Sequence, residues 1–145
     1  MASEADASWM EKLKGLETQD PFRLVGLQVV AAAPKWAKLR LPFRKDLVQA
    51  AGVIHGGFLA TLVDSAIAIA TMTTLAEGEG TSTADLKVNY LRPVRSGDVV
   101  AEATVLYRGR TTAFSTCELF NEQTGEQVAH GEALYMIFPA RPQQA

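Results

Sequence analysis

Two glycines and one aspartate on a single predicted helix are the residues best suited to do chemistry. Gly56 and Gly57 stand where an apolar helix begins, and backbone N–H groups at a helix start lack partners within the helix. The helix dipole adds partial positive charge there, and a glycine lets a substrate approach the backbone closely. The Gly56 N–H is therefore a candidate donor to the oxyanion that forms when a carbonyl carbon is attacked. The alternative is that both glycines only permit a tight turn into the helix.

Asp64 is the only charged residue of this helix before Glu77. Burying a carboxylate without a partner is costly, and ionisable groups held in apolar surroundings concentrate at functional sites. A functional Asp64 is therefore favoured over a structural one that is hydrogen-bonded to nearby backbone. His55 precedes the glycines and could act as a base, although a neutral histidine in a turn is expected to fix the loop by hydrogen bonds.

The elements around these residues predict an α+β fold. A short amphipathic helix is predicted over residues 7–16, and Pro21 is expected to end any helical run. Strands over 24–32 and 36–41 and a loop over 44–54 precede the apolar helix, predicted over 57–76 and ended by the glycines of 77–80. Four strands follow, over 83–90, 99–108, 111–121 and 127–138, with a hairpin at Gly109-Arg110.

The predicted strand over 83–90 alternates in polarity. Its alternation places Ala84, Leu86, Val88 and Tyr90 on one face and Thr83, Asp85, Lys87 and Asn89 on the other. A helix that is apolar on every side must be covered, and successive strands joined by short turns form an antiparallel sheet. We therefore expect about six antiparallel strands wrapped around one long helix, in a single domain over residues 1–145 with a frayed tail at 141–145.

Composition excludes several classes of protein. The 145 residues carry a net charge of −2 with scattered Lys and Arg, which disfavours nucleic-acid binding. One cysteine, Cys117, and two histidines, His55 and His130, leave little material for disulfides or a metal site. Cys117 is interpreted as a small core residue of a strand. The acidic N-terminus predicts no signal peptide, the longest apolar stretch carries Asp64 and predicts no membrane span, and a cytoplasmic location is expected.

The run Gly52-Val-Ile-His55-Gly56-Gly57 that opens the apolar helix, followed by Asp64, resembles the PaaI-like hotdog-fold acyl-CoA thioesterases. The segment Asp85-Leu-Lys-Val-Asn-Tyr-Leu-Arg-Pro93 and the hairpin Arg108-Gly-Arg-Thr111 are also similar to that family. The resemblance covers about residues 24–138. It implies hydrolysis of an acyl- or aryl-CoA thioester to free acid and coenzyme A, without a metal or bound organic cofactor. It also implies that Asp64 is the nucleophile or the general base, and both roles need the same placement.

The resemblance implies further site residues. The Gln49 amide could orient the water or the thioester oxygen, or Gln49 could be an ordinary exposed loop residue. A hydroxyl at the start of the next strand, from Thr83 or Ser82, could assist, or could simply begin the strand. Gly57, Phe58 and Leu62 with the facing strand are expected to hold the acyl group. Candidates for the coenzyme A phosphates are Arg92, Arg95, Arg108 and Arg110, although any one surface arginine is more often only solvated.

Spacing predicts that the site is shared between subunits. Gly56 and Asp64 are eight residues apart, or about 12 Å along a helix, so they cannot reach one carbonyl carbon from the same chain. Two helices packed antiparallel across a two-fold axis could bring them together in a homodimer, which could pair further into a homotetramer. A hydratase or dehydratase, with His55 beside Asp64 of the partner subunit, is one alternative. A non-catalytic acyl-CoA-binding module is another, and turnover against mere thermal stabilisation by the ligand would separate it.

Overall fold

The computed structural model describes residues 7–142 and contains three α-helices, two 3₁₀ turns and six strands within that range. The helices are α1 (Ala7–Lys12), α2 (Asp20–Val25) and α3 (Gly56–Met72), and the 3₁₀ turns are Leu16–Thr18 and Lys45–Leu47. The strands are β1 (Gln28–Ala33), β2 (Trp36–Leu41), β3 (Glu79–Tyr90), β4 (Val99–Arg108), β5 (Thr112–Asn121) and β6 (Gln127–Pro139).

The six strands form one antiparallel sheet in the order β1-β2-β4-β5-β6-β3. Helix α3 packs against one face of this sheet and buries Leu62, Val63, Ala66 and Ile67 completely. The close approach of helix and sheet depends on Gly131 of β6, because a Cβ there would lie 2.4 Å from Val63 Cγ1. The predicted α+β arrangement, with a sheet wrapped around one long helix, is confirmed. No helix of residues 7–142 is long and apolar enough to cross a membrane.

The N-terminal predictions are partly wrong. The predicted helix over 7–16 ends at Lys12 because Gly15 adopts a left-handed conformation, with φ 87°. Pro21 does not end a helical run but lies in the first turn of α2. Backbone N–H groups in the first turn make no hydrogen bond within the helix, so a proline there costs none. The first strand consequently begins at Gln28 rather than at residue 24, after Gly26 closes α2 with φ 84°.

The end of α3 also differs from the prediction. The helix stops at Met72, four residues before the predicted end, and Thr73 is its C-cap. The Thr73 and Thr74 hydroxyls donate to carbonyl oxygens of the last turn, at 2.6 and 2.7 Å, and such local bonds compete with continued helix. Of the two glycines in 77–80, only Gly78 serves the turn, with φ 80°, because Gly80 already belongs to β3 together with Glu79.

The face assignment of β3 is wrong at its start. Thr83 pairs with Tyr135 of β6, but the next pair is Asp85 with Leu134, so Ala84 is an extra, bulged residue. A bulge shifts the alternation by one position. Thr83 therefore shares the helix-facing side of β3 with Leu86, Val88 and Tyr90, whereas Ser82 points to the outer face. The remaining predicted strands hold closely, and Gly109 closes the β4–β5 hairpin by donating to Thr112 O at 2.8 Å.

Candidate functional site

The entrance to α3 is fixed by His55. Its side chain is the N-cap of the helix, with Nδ1 accepting the Gly57 N–H at 2.9 Å. Its own backbone N–H donates to Leu47 O at 2.8 Å, and its carbonyl oxygen accepts the Phe58 N–H at 3.0 Å. The ring also contacts Phe58 edge-on, with 5.9 Å between centroids. These contacts are those of a residue that holds the turn. Because Nδ1 is the acceptor, it is the ring nitrogen that carries the free electron pair of a base, and the Gly57 N–H already occupies it.

Gly56 differs from Gly57 in its backbone partners. Within residues 7–142 the Gly56 N–H has no hydrogen-bond partner, whereas the Gly57 N–H is held by His55. The Gly56 carbonyl oxygen accepts the Tyr90 hydroxyl at 2.7 Å. A Cβ at position 56 would lie 3.2 Å from Tyr90 Cζ, so glycine leaves room for this ring. Tyr90 thereby anchors the peptide next to a free N–H, a role that local sequence pattern did not reveal.

A cleft of about 300 Å³ opens beside Gly56. Ile54, Leu59 and Val94 give it an apolar wall, and Gln49 and Arg92 add polar groups. The Gln49 Oε1 atom accepts the Ala51 N–H at 2.5 Å, so the side-chain NH₂ is what remains to contact a ligand. Leu62, expected to line an acyl pocket, is instead fully buried in the core. Phe58 is half-buried at the helix entrance.

Asp64 is partly buried and is held by two hydroxyl groups. Thr83 Oγ1 donates to Asp64 Oδ1 at 2.8 Å. The Tyr135 hydroxyl donates to the same oxygen and lies 2.8 Å from the Asp64 carbonyl oxygen. Sequence reasoning missed Tyr135, although its alternation with Ala133 and Ile137 marked it as an inward residue whose hydroxyl needs a partner. Ser82 lies on the other face of the sheet, where it borders a separate cavity with Phe138 and Arg141.

The four candidate cations differ in how strongly they are already engaged. Arg108 is 17% exposed and pairs with Glu79 at 2.5 Å, which leaves it little capacity to bind a phosphate. Arg92 donates to Gln127 O at 2.8 Å and pairs with Glu126 at 3.8 Å, but its side chain is 51% exposed. Arg95 donates to Ala51 O at 3.3 Å and is also exposed. Arg110 is exposed, and no ion pair within the described range 7–142 includes it. The geometry thus favours Arg92, at the cleft, and Arg110 over Arg108.

Two buried groups carry perturbed protonation equilibria. Burial raises the pKa of the Cys117 thiol, and nearby Glu118 and Glu102 raise it further. Burial also raises the pKa of the Tyr135 hydroxyl, and its hydrogen bond to Asp64 adds to the effect. Both groups therefore stay protonated in the folded protein, so that Cys117 is no nucleophile and Tyr135 acts as a donor. In residues 7–142, no cluster of His, Cys, Asp and Glu is placed to hold a metal ion.

We expect the free energy of unfolding to fall as the pH rises above about 9. The ordinary pKa is 9.0 for the thiol and 10.0 for the phenol, so the unfolded chain loses these protons while the folded chain keeps them. Each group then lowers the free energy of unfolding by up to about 1.4 kcal/mol per pH unit. Urea unfolding between pH 8 and 11 should show a shallower decline for Cys117→Ala and, above pH 10, for Tyr135→Phe. Equal slopes in wild type and both variants would contradict this.

Comparisons with known proteins give a consistent result. Residues 51–128 match the family model described as the thioesterase superfamily. The human acyl-coenzyme A thioesterase 13 is 35% identical over 127 residues, which cover 86% of this chain and 90% of that protein. A thioesterase from Haemophilus influenzae superposes with a TM-score of 0.84 at 25% identity over 94% of both chains. A variant of the phenylacetic acid degradation protein PaaI from Thermus thermophilus superposes with 0.73 at 33% identity, covering 81% of this chain and 98% of that one.

Proposed function

This chain belongs to the thioesterase superfamily as a PaaI-like hotdog thioester hydrolase, and from that premise we propose that it hydrolyses an acyl- or aryl-coenzyme A thioester at a site built from Asp64 and Gly56. The observation that carries the proposal is the state of Asp64. It is a partly buried carboxylate that receives two hydroxyl donors, and no ion pair among residues 7–142 includes it. Such a carboxylate is oriented by its hydrogen bonds but is not paired with a cation, and a base or nucleophile needs both conditions.

Asp64 begins the reaction in either of two ways. As a general base it takes a proton from water, whose oxygen attacks the thioester carbon. As a nucleophile it attacks that carbon itself, forms a mixed anhydride and releases coenzyme A, and water then hydrolyses the anhydride. In both routes the C–S bond breaks, the thiolate takes up a proton, and the products are the free acid and coenzyme A. No metal or organic cofactor enters either route.

Gly56 supplies the group that stabilises the oxyanion. Its N–H lacks a partner within residues 7–142 and lies at the positive end of a 17-residue helix. A preorganised backbone donor aimed at developing negative charge contributes about 10²–10³-fold to the rate. Gln49 shares the cleft with Gly56, so its free NH₂ group is suited to orient the thioester or the water. We propose that Arg92 at the cleft and the exposed Arg110 bind the phosphates of coenzyme A.

Thr83 is proposed as the assisting hydroxyl in preference to Ser82. The bulge at Ala84 turns Thr83 onto the helix side of β3, where it donates to Asp64, and leaves Ser82 facing outward. His55 is assigned to holding the turn, because Nδ1 already accepts the Gly57 N–H. This engagement also weakens the hydratase alternative, which needs a histidine free to exchange a proton with substrate.

A homodimer through the β3 edge would complete the site. β3 lies at one edge of the sheet and pairs only with β6 in the described chain, and an unpaired edge is a template for another strand. Thr83, just before the bulge, contacts Asp64, and Tyr90, at the last position of β3, contacts Gly56. Antiparallel pairing of two β3 strands about a two-fold axis between Leu86 and Lys87 would set Thr83 beside Tyr90 of the partner subunit. Asp64 of one subunit would then approach Gly56 of the other, as an isologous dimer requires.

The direct test is release of free thiol from short, medium, long and aromatic acyl-CoAs by the purified protein. We expect turnover of at least one class, with kcat in the range of about 1–10³ s⁻¹ that is usual for enzymes. The apolar wall of the cleft predicts that free coenzyme A alone stabilises the protein less than an acylated, non-hydrolysable analogue. A folded protein that releases no thiol from any member of the panel would remove the hydrolase proposal, and hydration and ligand-binding assays would follow.

A further inference from the structure

Tyr135 is a buried residue of β6 that touches the proposed reactive carboxylate. Its side chain is 2% exposed, and its hydroxyl donates to Asp64 Oδ1. Thr83 stands directly opposite Tyr135 in the β3–β6 register and donates to the same Oδ1 atom at 2.8 Å. Two hydroxyl groups on neighbouring strands therefore converge on one oxygen of Asp64.

The two oxygens of this carboxylate are not equivalent. A carboxylate oxygen offers about two lone-pair directions, and the two hydroxyls occupy both of those on Oδ1. Within residues 7–142 no donor is recorded on Oδ2. The Asp64 backbone carbonyl lies 2.8 Å from the same tyrosine hydroxyl, so the single phenolic hydrogen is shared between two acceptor oxygens of one residue. The carboxylate is thus held in one rotational orientation. Two donors occupy Oδ1, whereas Oδ2 is available to a reactant.

We infer that Tyr135 is a positioning residue which, with Thr83, holds Oδ1 of Asp64 and leaves Oδ2 as the oxygen that takes the proton from water or attacks the thioester. The inference rests on the proposed hydrolysis for its catalytic meaning, but the contact itself has a separate readout. Tyr135 reaches Asp64 across 71 positions of sequence, and the role belongs to its hydroxyl rather than to its ring.

Tyrosine suits this task because its hydroxyl remains a donor. Burial raises the pKa of Tyr135 above its ordinary value, and the bond to Asp64 raises it further, whereas the Thr83 contact opposes this to a smaller extent. The buried ring also fixes where the hydroxyl lies. A group that always donates keeps the carboxylate oxygen that it faces in one position. Asp64 is thereby held in one orientation by Thr83 and Tyr135, the polar side chains that contact its carboxylate within residues 7–142.

The test is Tyr135→Phe, which keeps the ring and removes only the hydroxyl. We expect kcat to fall about ten-fold with KM within about two-fold, because orientation is lost while substrate binding is kept. In the Asp64→Asn background the same change should leave the residual kcat within about two-fold, because Tyr135 acts through the Asp64 carboxylate. Tyr107→Phe is the matched control, since Tyr107 is 62% exposed on β4, which β5 separates from β6, and it makes no hydrogen bond to Asp64 or Thr83 within residues 7–142.

A second readout does not need activity. Carbon-13 NMR of the aspartate carboxyls at neutral pH, with Asp64→Asn to assign the signal, reports on the surroundings of Asp64 directly. Tyr135→Phe should change the chemical shift of the Asp64 carboxyl, because a hydrogen bond to it is lost, whereas Tyr107→Phe should not. A wild type without thioesterase activity but with this change in chemical shift would refute the hydrolysis and keep the positioning contact. An active wild type would refute the positioning role if Tyr135→Phe left both kcat and the chemical shift unchanged. An equal further loss of kcat in the Asp64→Asn background would mark a merely structural role and also overturn it.

Discussion

Replacing Asp64 by asparagine is expected to lower kcat by about 10²–10⁴-fold for the best acyl-CoA substrate, with the oligomeric state unchanged. Asparagine has nearly the shape of aspartate, and its carbonyl oxygen can still accept the hydroxyls of Thr83 and Tyr135. The fold should therefore persist, whereas an amide is neither a base nor a nucleophile at neutral pH. Thiol release under saturating substrate gives kcat, and size-exclusion chromatography reports the assembly.

Asp20→Asn is the matched control for this variant. Asp20 is an aspartate of α2 whose side chain is 89% exposed, and it belongs neither to the cleft nor to the β3 edge. The same loss of one negative charge there should leave kcat within about two-fold of wild type, because surface substitutions away from a site have small effects. If Asp64→Asn retained more than about a third of the wild-type kcat, Asp64 would be a structural residue and the proposed chemistry would lose its reactive group.

The strands that could be predicted closely are those whose bounds are set by the alternation of polar and apolar residues within the strand and by the turn residues next to it. β2 and β4 begin and end where alternation and turn residues place them. The prediction that Pro21 ends a helix was wrong because a proline that cannot continue one helix is well tolerated in the first turn of the next. The end of α3 was misplaced because apolar residues continue past Met72, whereas the threonine hydroxyls that stop the helix act through hydrogen bonds that composition does not display.

The site residues, like the strands and helices, divide into those that a local sequence pattern reveals and those that it does not. Gly56, Asp64 and the turn-holding His55 could be proposed from residue type and spacing, because a helix start and an isolated acid are features of one short segment. Tyr90 and Tyr135 could not, since they reach Gly56 and Asp64 across 34 and 71 positions respectively. The choice of Thr83 over Ser82 depended on a bulge, and a bulge becomes visible only when the partner strand is in place.

A valine at position 56 is expected to lower kcat/KM by about 10²-fold. A Cβ there would lie 3.2–3.3 Å from two ring carbons and the hydroxyl oxygen of Tyr90, and valine adds two more carbons. Tyr90 or the helix start must move, and a displacement of about 1 Å at a catalytic group costs a factor of this size. Circular dichroism and size-exclusion chromatography should show a folded, associated protein. Activity within a few-fold of wild type would mean that the Gly56 N–H does not contact the reacting oxygen.

The two variants together test whether one site is built from two subunits. Asp64→Asn and Gly56→Val chains carrying different affinity tags can be co-expressed, and the heterodimer isolated on both tags in succession. In a shared site, the intact Gly56 of the first chain meets the intact Asp64 of the second, while the other site carries both changes. The heterodimer should then show about half of the wild-type kcat per dimer, although either parent homodimer is nearly inactive. A heterodimer as inactive as its parents would show that Gly56 and Asp64 do not meet across a dimer interface.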